Sequence, residues 1–320
     1  MINDKEISVI LPVYNGASFL ELSILSVINQ RFKNCEFIIC NDASTDNSLQ
    51  ILNDLASKYP NQIKILNNEV NLGLFKTLNK LIENSSAPLI HLWAQDDIMK
   101  PECLHECMLF HDQNPNVSMS YHTWDFIDEN GKIIPDGKID GTPTIISKHQ
   151  YANTSIRWGC MAGNISNVTL NRKYLEKTGL FDESLIVSGD FDLFTKLAEI
   201  SDIGFNNKKL VFVRRHLEQL SKAYNSIFYR IKEDIPINLK LIGFLEGKEK
   251  KKAFLFWTWK IQSAYFNDWL FLLRKGQKKE ANKVSKLLRS ITNFPLLFMR
   301  WIILRFLRLI KLDIFLYNKF

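Results

Sequence analysis

Short apolar runs alternate with segments of helical period over the first 120 residues of the chain. Apolar runs bounded by turn residues are typical of buried strands, and apolar residues at every third or fourth position are typical of one helix face. Strands that alternate with helices indicate βαβ units and a parallel sheet covered on both faces. The predicted strands are residues 7–13, 35–40, 63–66 and 89–93, and the predicted helices are 19–29, 47–58, 74–84 and 101–112.

The pattern continues less regularly up to residue 221. Residues 117–121 continue the strand pattern, and residues 126–134 predict a hairpin with Asn130-Gly131 at its turn. An irregular stretch at 136–143 precedes a strand, a helix and a strand at 165–171, 190–200 and 209–214. Beyond Ser221 the segments are helical and rich in Lys, Trp and Phe. We therefore predict an α/β domain over residues 1–221 and a helical region over 222–320.

Charge is distributed unevenly along the chain, whose net charge is +7. Residues 1–207 hold 16 Lys+Arg against 26 Asp+Glu, whereas residues 208–320 hold 25 against 8. Hydrophobic residues make up 46% and charged residues 23%, which excludes a disordered chain. An acidic body with a basic tail indicates that the tail contacts an anionic partner, either nucleic acid or anionic lipid.

The cysteines and the N-terminus indicate an intracellular protein. Cys103 and Cys107 are four apart in a helical pattern, with no second pair of Cys or His to complete a zinc site. We therefore favour reduced thiols in a cytoplasmic protein. The polar residues 1–6 run directly into a strand, so we expect no signal peptide.

Polar residues follow three of the predicted strands. The first strand runs into Tyr14-Asn15, the second into Asn41-Asp42 and the fourth into Asp96-Asp97. Parallel sheets bind ligands just beyond the carboxyl ends of their strands, so these groups are expected to share one crevice. Two adjacent carboxylates repel each other unless a cation or a hydrogen-bonding ligand compensates, and Mg²⁺ or Mn²⁺ takes such oxygen ligands.

Structural roles are the alternatives for these acidic residues. Asp and Ser favour turns and helix N-caps, which is the interpretation we favour for Asp46, whereas for Asp42 we favour contact with a ligand. A solvated loop end is the alternative for Asp96-Asp97.

Taken together, these segments resemble the family 2 glycosyltransferases, over about residues 6–221. The resemblance implies an α/β fold of the GT-A type, a Rossmann-like, mostly parallel sheet flanked by helices. It also implies transfer of a sugar from a nucleotide-sugar, expected to be UDP-linked, with inversion at the anomeric carbon. The segments that carry it are 7–15, 41–46, 71–73, 96–97, 179–183, 189–190 and 214–216 with Gln219 and Ser221.

The resemblance assigns the nucleotide-sugar to the first half of the domain, about residues 1–98, and the acceptor to residues 99–221. Asp42 matches the acidic residue that contacts the base, and Asp96 belongs to the metal and ribose motif. The residues expected to bind the nucleotide-sugar are Pro12, Tyr14, Asn15, Asp42, Asn71, Gly73 and Asp96.

Three further residues match the family's chemistry. Asp97 matches a ligand of Mg²⁺ or Mn²⁺, His216 a histidine that reaches the metal or the diphosphate, and Asp190 the base. Direct displacement needs a base at the acceptor hydroxyl and neutralisation of the leaving diphosphate, which a carboxylate and a metal supply. The alternatives are that Asp190 caps the helix it opens and that His216 is a surface residue.

The chain departs from the family pattern at three positions. Asn41 and Ala94 stand where many members have Asp, and Gly189 replaces the Glu that commonly precedes the base. These departures leave the metal and base assignments in place but weaken inference about the nucleotide and the sugar.

The segment 294–316 predicts a basic amphipathic helix. No run approaches the ~20 uncharged apolar residues that a spanning helix requires. Arg300, Arg305, Arg308 and Lys311 fall within about 140° of the helical wheel, opposite an apolar face. Such a helix lies in a membrane interface or packs on the catalytic domain, and the basic balance favours the membrane. Residues 254–273, in contrast, read as a packed helical layer.

We therefore expect a cytoplasmic protein bound peripherally to the anionic inner face of the cell membrane. By resemblance, its acceptor is a glycan or a lipid-linked oligosaccharide in surface polysaccharide assembly. A nucleotidyltransferase is one alternative, but it needs a basic Gly-rich loop where this chain has Tyr14-Asn15-Gly16-Ala17. A nucleic-acid-binding protein is another, but an acidic body would repel a phosphate backbone, so we expect no nucleic acid.

Overall fold

The computed structural model describes residues 6–135, 141–216 and 224–310. They form two compact units. The first comprises Met1–Lys148, Ala162–Ser184 and Gly189–Leu217, and the second His149–Met161, Leu185–Ser188 and Glu218–Phe320. The domain boundary at residue 221 stays a prediction. Parts of three sequence predictions lie outside the described residues, namely residues 136–140, Gln219 with Ser221, and 311–316 with Lys311.

The described residues contain these elements, in chain order. The strands are β1 Ile7–Val13, β2 Cys35–Asn41, β3 Lys64–Asn67, β4 Leu89–Leu92, β5 Ile98–Met99, β6 Met119–Ile127, β7 Ile133–Ile134, β8 Ile145–Ile146, β9 Val168–Asn171 and β10 Ile203–Arg214. The helices are α1 Ala17–Ile28, α2 Ser48–Lys58, α3 Leu74–Glu83, α4 Cys103–Gln113, α5 Lys148–Trp158, α6 Arg172–Thr178, α7 Gly189–Ile200, α8 Tyr224–Gly243, α9 Gly247–Phe256, α10 Gln262–Arg274, α11 Lys278–Ile291 and α12 Phe294–Leu309.

The strands of the first unit form one mixed sheet in the order β3-β2-β1-β4-β9-β6-β10-β5, with β7 beside β6 and β8 beside β10. β1 is parallel to β2 and β4, and β2 is parallel to β3. β9 is antiparallel to both of its neighbours, β4 and β6. The predicted class of helices around a mostly parallel sheet is confirmed, and β9 together with the short strands β5, β7 and β8 makes the sheet mixed.

Buried apolar residues on both faces explain the continuous apolar strands. Leu20 and Ile24 of α1 and Leu52 of α2 join Val9 and Leu11 of β1 in one fully buried cluster. α4 contributes to the same cluster. The first four predicted strands and four predicted helices are present with ends shifted by at most two residues, and the predicted hairpin is the antiparallel pair β6–β7. The later strands differ more, since β6 and β10 are longer than predicted and a short 3₁₀ turn, Ile165–Asn167, precedes β9 where a strand was predicted.

The direction of connection reverses between β1 and β4, because β2 and β3 lie on one side of β1 and β4 lies on the other. The last pair of β1 and β4 is Ile10 with Leu92, and Trp93 N donates to the Ile10 carbonyl beyond it. Pro12 lies past this last pair, where β1 still pairs with β2. Because Pro12 has no N–H, it cannot donate a hydrogen bond to a neighbouring strand there. A crevice at such a reversal is where open α/β sheets bind ligands.

The second unit is helical. Its core includes Leu241 of α8, Phe256 of α9, Phe266 of α10 and Leu288 of α11, all at most 3% exposed. A five-residue π-helical turn, Trp257–Ile261, joins α9 to α10. The predicted packed layer over 254–273 is therefore helical, with an irregular turn inside it.

Two carboxylates of α8 hold the short segment that precedes α7. Glu233 accepts hydrogen bonds from the backbone N–H groups of Ile186, Val187 and Ser188 at 2.8–2.9 Å. The Ser188 hydroxyl donates to Asp234 at 2.7 Å. Burial raises the pKa of Asp234 to about 6.

α12 packs one face on α10 and leaves another exposed. The Phe266 ring lies 5.5 Å from the rings of Phe294 and Trp301, and Leu297 is fully buried. Within the part of the chain that the structure describes, each helix by itself falls short of the length and apolar content needed to cross a membrane. α11 and α12 together meet that criterion as a pair bent by 99°. The large apolar residues left exposed are Leu296, Phe298, Met299, Ile302, Ile303, Phe306, Leu309 and Ile310.

Candidate active site

The loops after β1 and β4 are joined by the side chain of Gln95. Its Oε1 accepts from Tyr14 N at 2.9 Å, and its Nε2 donates to the Tyr14 carbonyl at 3.1 Å. A Cβ added to Gly16 would lie 2.5 Å from the same side chain, so a larger residue there would displace Gln95. Gln95 therefore continues the pairing of β1 and β4 beyond the sheet and fixes the rim of the crevice, leaving Tyr14 46% exposed.

The loop after β1 is also tied to the loop after β2. Asn15, at φ 49°, donates its backbone N–H to Ser44 Oγ at 3.1 Å and accepts from Thr45 N at 2.7 Å. Asp46 accepts from the backbone N–H groups of Ala17 and Ser48, both at 3.0 Å. Asp46 thus has the turn and capping role that the sequence favours.

Asp42 holds the loop that contains Asn71 and Gly73. Its Oδ1 accepts from Asn68 Nδ2 at 2.7 Å and from Leu72 N at 2.8 Å, and its Oδ2 accepts from Gly73 N at 2.9 Å. Gly73 has φ +86°, and Asn71 Oδ1 also accepts from its N–H. Asp42 is 3% exposed, so its carboxylate positions this loop at the carboxyl ends of β1 and β2.

Asp96 and His216 form a pair next to this crevice. His216 Nε2 lies 2.9 Å from Asp96 Oδ2, and both side chains are partly exposed. Arg214 is buried and donates from Nε to the Asp96 backbone carbonyl at 2.9 Å. The Phe19 ring of α1 lies 4.5 Å from the Arg214 guanidinium and 5.1 Å from the His216 ring. The end of β10 is thereby fixed against the β4 loop.

Asp97 faces inward. Its Oδ2 accepts from Ser166 Oγ at 2.6 Å and from Asn164 Nδ2 at 3.3 Å, and its Oδ1 accepts from Arg214 N at 2.9 Å. The residue is 2% exposed. Burial, with the neighbouring charge of Asp96 second, raises the pKa of Asp97 to about 7. Asp97 therefore anchors the ends of β4, β9 and β10 to one another.

Asp190 is the second residue of α7, where Asp190 Oδ1 accepts from Phe191 N at 2.7 Å. A Cβ on the preceding Gly189 would lie 2.6 Å from the ring of Phe75, the second residue of α3. Phe75 also stacks on Phe181 at 5.5 Å. Asp190 is thereby placed beside the N-terminus of α3, which begins at the Asn71–Gly73 loop. Phe75 also explains why the chain has glycine where the family commonly has Glu.

The predicted residues thus fall into three groups. Asp42 lies with Asn71 and Gly73, Asp96 lies with His216, and Asp190 begins α7 next to α3. The remaining predicted residues lie at the end of β1 and in the loop after it (Pro12, Tyr14 and Asn15) or directly after Asp96 (Asp97). The structure adds Gln95 and Ser166, which fix the loops and which the sequence analysis did not select, and it gives the same role to Arg214 of the matched segment 214–216. The position of Gln95 directly before Asp96-Asp97 is the signal that could have identified it.

A divalent cation fits Asp96 and His216 better than it fits Asp97. The 2.9 Å between Asp96 Oδ2 and His216 Nε2 is close to the roughly 3 Å between adjacent ligands of an octahedral ion with bonds of about 2.1 Å. Carboxylate oxygen suits Mg²⁺ and Mn²⁺, and imidazole is a common metal ligand. The oxygens of Asp97 are buried and accept three hydrogen bonds, whereas the side chains of Asp96 and His216 are partly exposed.

Curated relatives of the chain are glycosyltransferases. An uncharacterized glycosyltransferase of Rickettsia felis is 29% identical over 221 residues, 69% of this chain and 36% of that protein. The chain thus spans about a third of that relative's length. A second one, from Haemophilus influenzae, is 26% identical over 70% of both chains. The hyaluronan synthase of Pasteurella multocida is 24% identical over 63% of this chain and 20% of its own length.

Solved structures share the fold. S. aureus TarS 1–349 in complex with UDP-GlcNAc has a TM-score of 0.60 at 20% identity, covering 90% of this chain and 93% of that one. The mannosyltransferase PcManGT of Pyrobaculum calidifontis, in complex with GDP-Man and Mn²⁺, has a TM-score of 0.57 at 13% identity, covering 91% and 76%. The predicted GT-A fold is confirmed. The model of glycosyl transferase family 2 matches residues 8–173, just over half of the chain, and the chain therefore belongs to that family.

Proposed function

We propose that the chain transfers a sugar from a UDP-linked donor to an acceptor hydroxyl with inversion at the anomeric carbon. The observation that supports the proposal is that the loops after β1, β2 and β4, which carry Tyr14, Asp42 and Asp96, are tied to one another through Asn15 and Gln95 at the β1–β4 reversal, the position where a sheet of this kind binds a nucleotide. The TarS complex with UDP-GlcNAc, on the same fold, supports UDP as the nucleotide.

In this proposal the nucleotide lies along the loops that Gln95 and Asp42 fix. Pro12, Tyr14 and Asn15 line it on the β1 side, and Asn71 and Gly73 line it on the side of α3. Because Asp42 is buried under the Asn71–Gly73 loop, it shapes the base pocket through that loop as well as by any direct contact.

We assign Mg²⁺ or Mn²⁺ to Asp96 and His216, and we give Asp97 a positioning role. When bound, such an ion neutralises the charge that develops on the leaving diphosphate. Asp97 accepts hydrogen bonds from Ser166 and from the Arg214 backbone, and it thereby holds the loop after β4 that carries Asp96. The assignment keeps His216 but differs from the sequence-based prediction at the carboxylate, since that prediction gave the metal to Asp97 with His216 and stays untested.

Asp190 is the proposed base. It removes the proton of the acceptor hydroxyl as that oxygen bonds to the anomeric carbon and the diphosphate leaves. Its position at the start of α7, set by Gly189 against Phe75, orients the carboxylate independently of the metal ligands. In this chain Gly189 precedes the carboxylate, where many members of the family have Glu.

The acceptor is proposed to be a glycan on a lipid carrier, reached at an anionic membrane surface on the cytoplasmic side. α12 supports this, because its exposed apolar residues lie beside Arg300, Arg305 and Arg308. Each cation near an anionic surface contributes about 1 kcal/mol, and burial of apolar area adds to that. The sugar would thus be added where a lipid-linked acceptor is held.

Matched substitutions test the metal assignment. Asp96→Asn should abolish metal-dependent turnover while the unfolding free energy stays near that of the wild type, because the side chain is partly exposed. Asp97→Asn should mainly lower stability, since a buried acceptor of three hydrogen bonds loses its charge. Full turnover of Asp96→Asn, or full activity of the wild type in EDTA, would contradict the assignment.

A further inference from the structure

Two cysteines and two histidines meet in the core of the first unit, and none of them is among the residues assigned to the donor. Cys103 and Cys107 lie one turn apart on α4, whereas His91 lies on β4 and His122 on β6. All four are at most 3% exposed. Cys103 Sγ lies 3.7 Å from His122 Nε2, and Cys107 Sγ lies 4.0 Å from His91 Nδ1. Such a cluster joins a helix to two strands that are not neighbours in the sheet.

The histidine nitrogens are arranged as they are in metal sites. His122 Nδ1 donates to the Thr123 carbonyl at 2.9 Å, so a neutral ring presents its Nε2 lone pair to Cys103. His91 Nδ1 lies 2.9 Å from Thr169 Oγ1. Metal-binding histidines usually hydrogen-bond through the second nitrogen in this way.

The environment of His91 Nε2 indicates a missing ligand. This nitrogen is buried and, among the residues described, has no hydrogen-bond partner. Buried polar atoms are nearly always satisfied, so an unpartnered ring nitrogen beside two thiols needs an explanation. A metal ion that takes the lone pair of His91 Nε2 as a ligand satisfies this nitrogen without any other change in the core.

The distances are close to those of a zinc site. One ligand atom from each of His91, Cys103 and His122 lies within 4.8 Å of the other two. Zinc bonds of about 2.0–2.3 Å in a tetrahedron separate ligand atoms by about 3.3–3.8 Å, so shifts of about 1.5 Å or less bring these three to a common ion. Cys107, one turn of α4 from Cys103 and next to the His91 ring, is the fourth ligand that the tetrahedron needs. Two thiolates and two neutral imidazoles balance the charge of Zn²⁺, which a buried site requires.

We propose that Cys103, Cys107, His91 and His122 bind one structural Zn²⁺ ion that fastens α4 to β4 and β6. Sulfur and nitrogen ligands select zinc over Mg²⁺ and Mn²⁺, so this site is chemically distinct from Asp96 and His216. Sequence spacing does not reveal it, because the two histidines come from separate strands and the cysteine pair has no partner pair nearby in the chain. The inference stands whether or not the proposed function holds.

X-ray absorption at the zinc edge, with metal analysis, tests the site on the wild-type protein purified from zinc-supplemented cells. We expect about one zinc per chain, with two sulfurs at about 2.3 Å and two nitrogens at about 2.0–2.1 Å. Zinc below about a tenth of an equivalent, or a shell of oxygen and nitrogen alone, would overturn the proposal.

Two serine variants locate the site. Cys103→Ser should lower the zinc content at least about tenfold, because a hydroxyl is a poor zinc ligand beside imidazoles. Cys35→Ser is the matched control, since Cys35 lies outside the cluster at the start of β2, and should keep full zinc. Equal zinc in Cys103→Ser and wild type would overturn the proposal. If Cys103→Ser does not fold, the absorption spectrum of the wild type decides.

Discussion

Replacing Asp42 by Asn tests whether this residue builds the nucleotide pocket or only contacts the nucleotide. The substitution keeps the size of the side chain and removes its charge. Asn retains one oxygen, which can still accept from Asn68 and Leu72, but its amide nitrogen then faces the Gly73 N–H, two donors together.

The structure sets the magnitude. Hydrogen bonds to charged groups contribute about 1.5–3 kcal/mol and neutral ones about 1 kcal/mol, so the two retained bonds weaken by about 0.5–2 kcal/mol each. A buried N–H left unsatisfied costs about 1–3 kcal/mol more. Because such terms are not additive, we expect Asp42→Asn to lower the free energy of unfolding by about 2–4 kcal/mol.

Two measurements without any ligand test this expectation. Urea unfolding should give the loss in free energy, and hydrogen exchange should show at least about tenfold faster exchange at the Leu72 and Gly73 amides, equivalent to about 1.4 kcal/mol. Asp54→Asn, an exposed position on α2, is the control and should change neither. If Asp42→Asn loses donor affinity while unfolding and exchange stay at wild-type values, then Asp42 acts on the nucleotide alone and the loop argument is refuted.

Three further substitutions test other parts of the account. Asp190→Asn should reduce turnover at least about a hundredfold with donor binding nearly unchanged, as stopped-assay kinetics and calorimetry would show; near-normal turnover would make Asp190 a helix cap. Asp234 should make wild-type stability fall by about 2 kcal/mol from pH 4 to 6, because its folded pKa, about 6, exceeds its ordinary 3.8 and the unfolded chain loses its proton first. In urea titrations at several pH values, the unfolding free energy of Asp234→Asn should fall less between pH 4 and 6. An unchanged fall would refute the raised pKa of Asp234 as its cause. The wild type should sediment with anionic liposomes, and changing Arg300, Arg305 and Arg308 to Glu should reverse this preference; sedimentation that ignores lipid charge would contradict the membrane proposal.

The regular part of the fold could be predicted from the sequence, because apolar runs buried on both faces leave an unambiguous pattern. Residues 7–13 and 35–40 are such runs, and their strands, β1 and β2, lie in the parallel part of the sheet. β5 and β8, with two residues each, are too short to give a pattern. α6 and α5 were also missed, since residues 172–178 and 148–158 are largely polar.

The site could be located but not resolved from the sequence. The order of the polar clusters identified the crevice, because the carboxyl ends of parallel strands share one edge. The division of labour between Asp96 and Asp97 depends on which carboxylate faces Ser166 and which faces His216, and residues about 70 and 120 positions away decide that. The Cys103–His122 contact likewise depends on long-range pairing that no local spacing reveals.

The central claim, metal-dependent transfer from a nucleotide-sugar, is tested most directly by mass spectrometry of the chain incubated with a panel of UDP- and GDP-sugars and Mn²⁺. The account predicts that a UDP-sugar is consumed with release of UDP, and that EDTA stops the release. Consumption that continues at the same rate in EDTA, or a folded, metal-supplemented protein that consumes none of the donors, would contradict it.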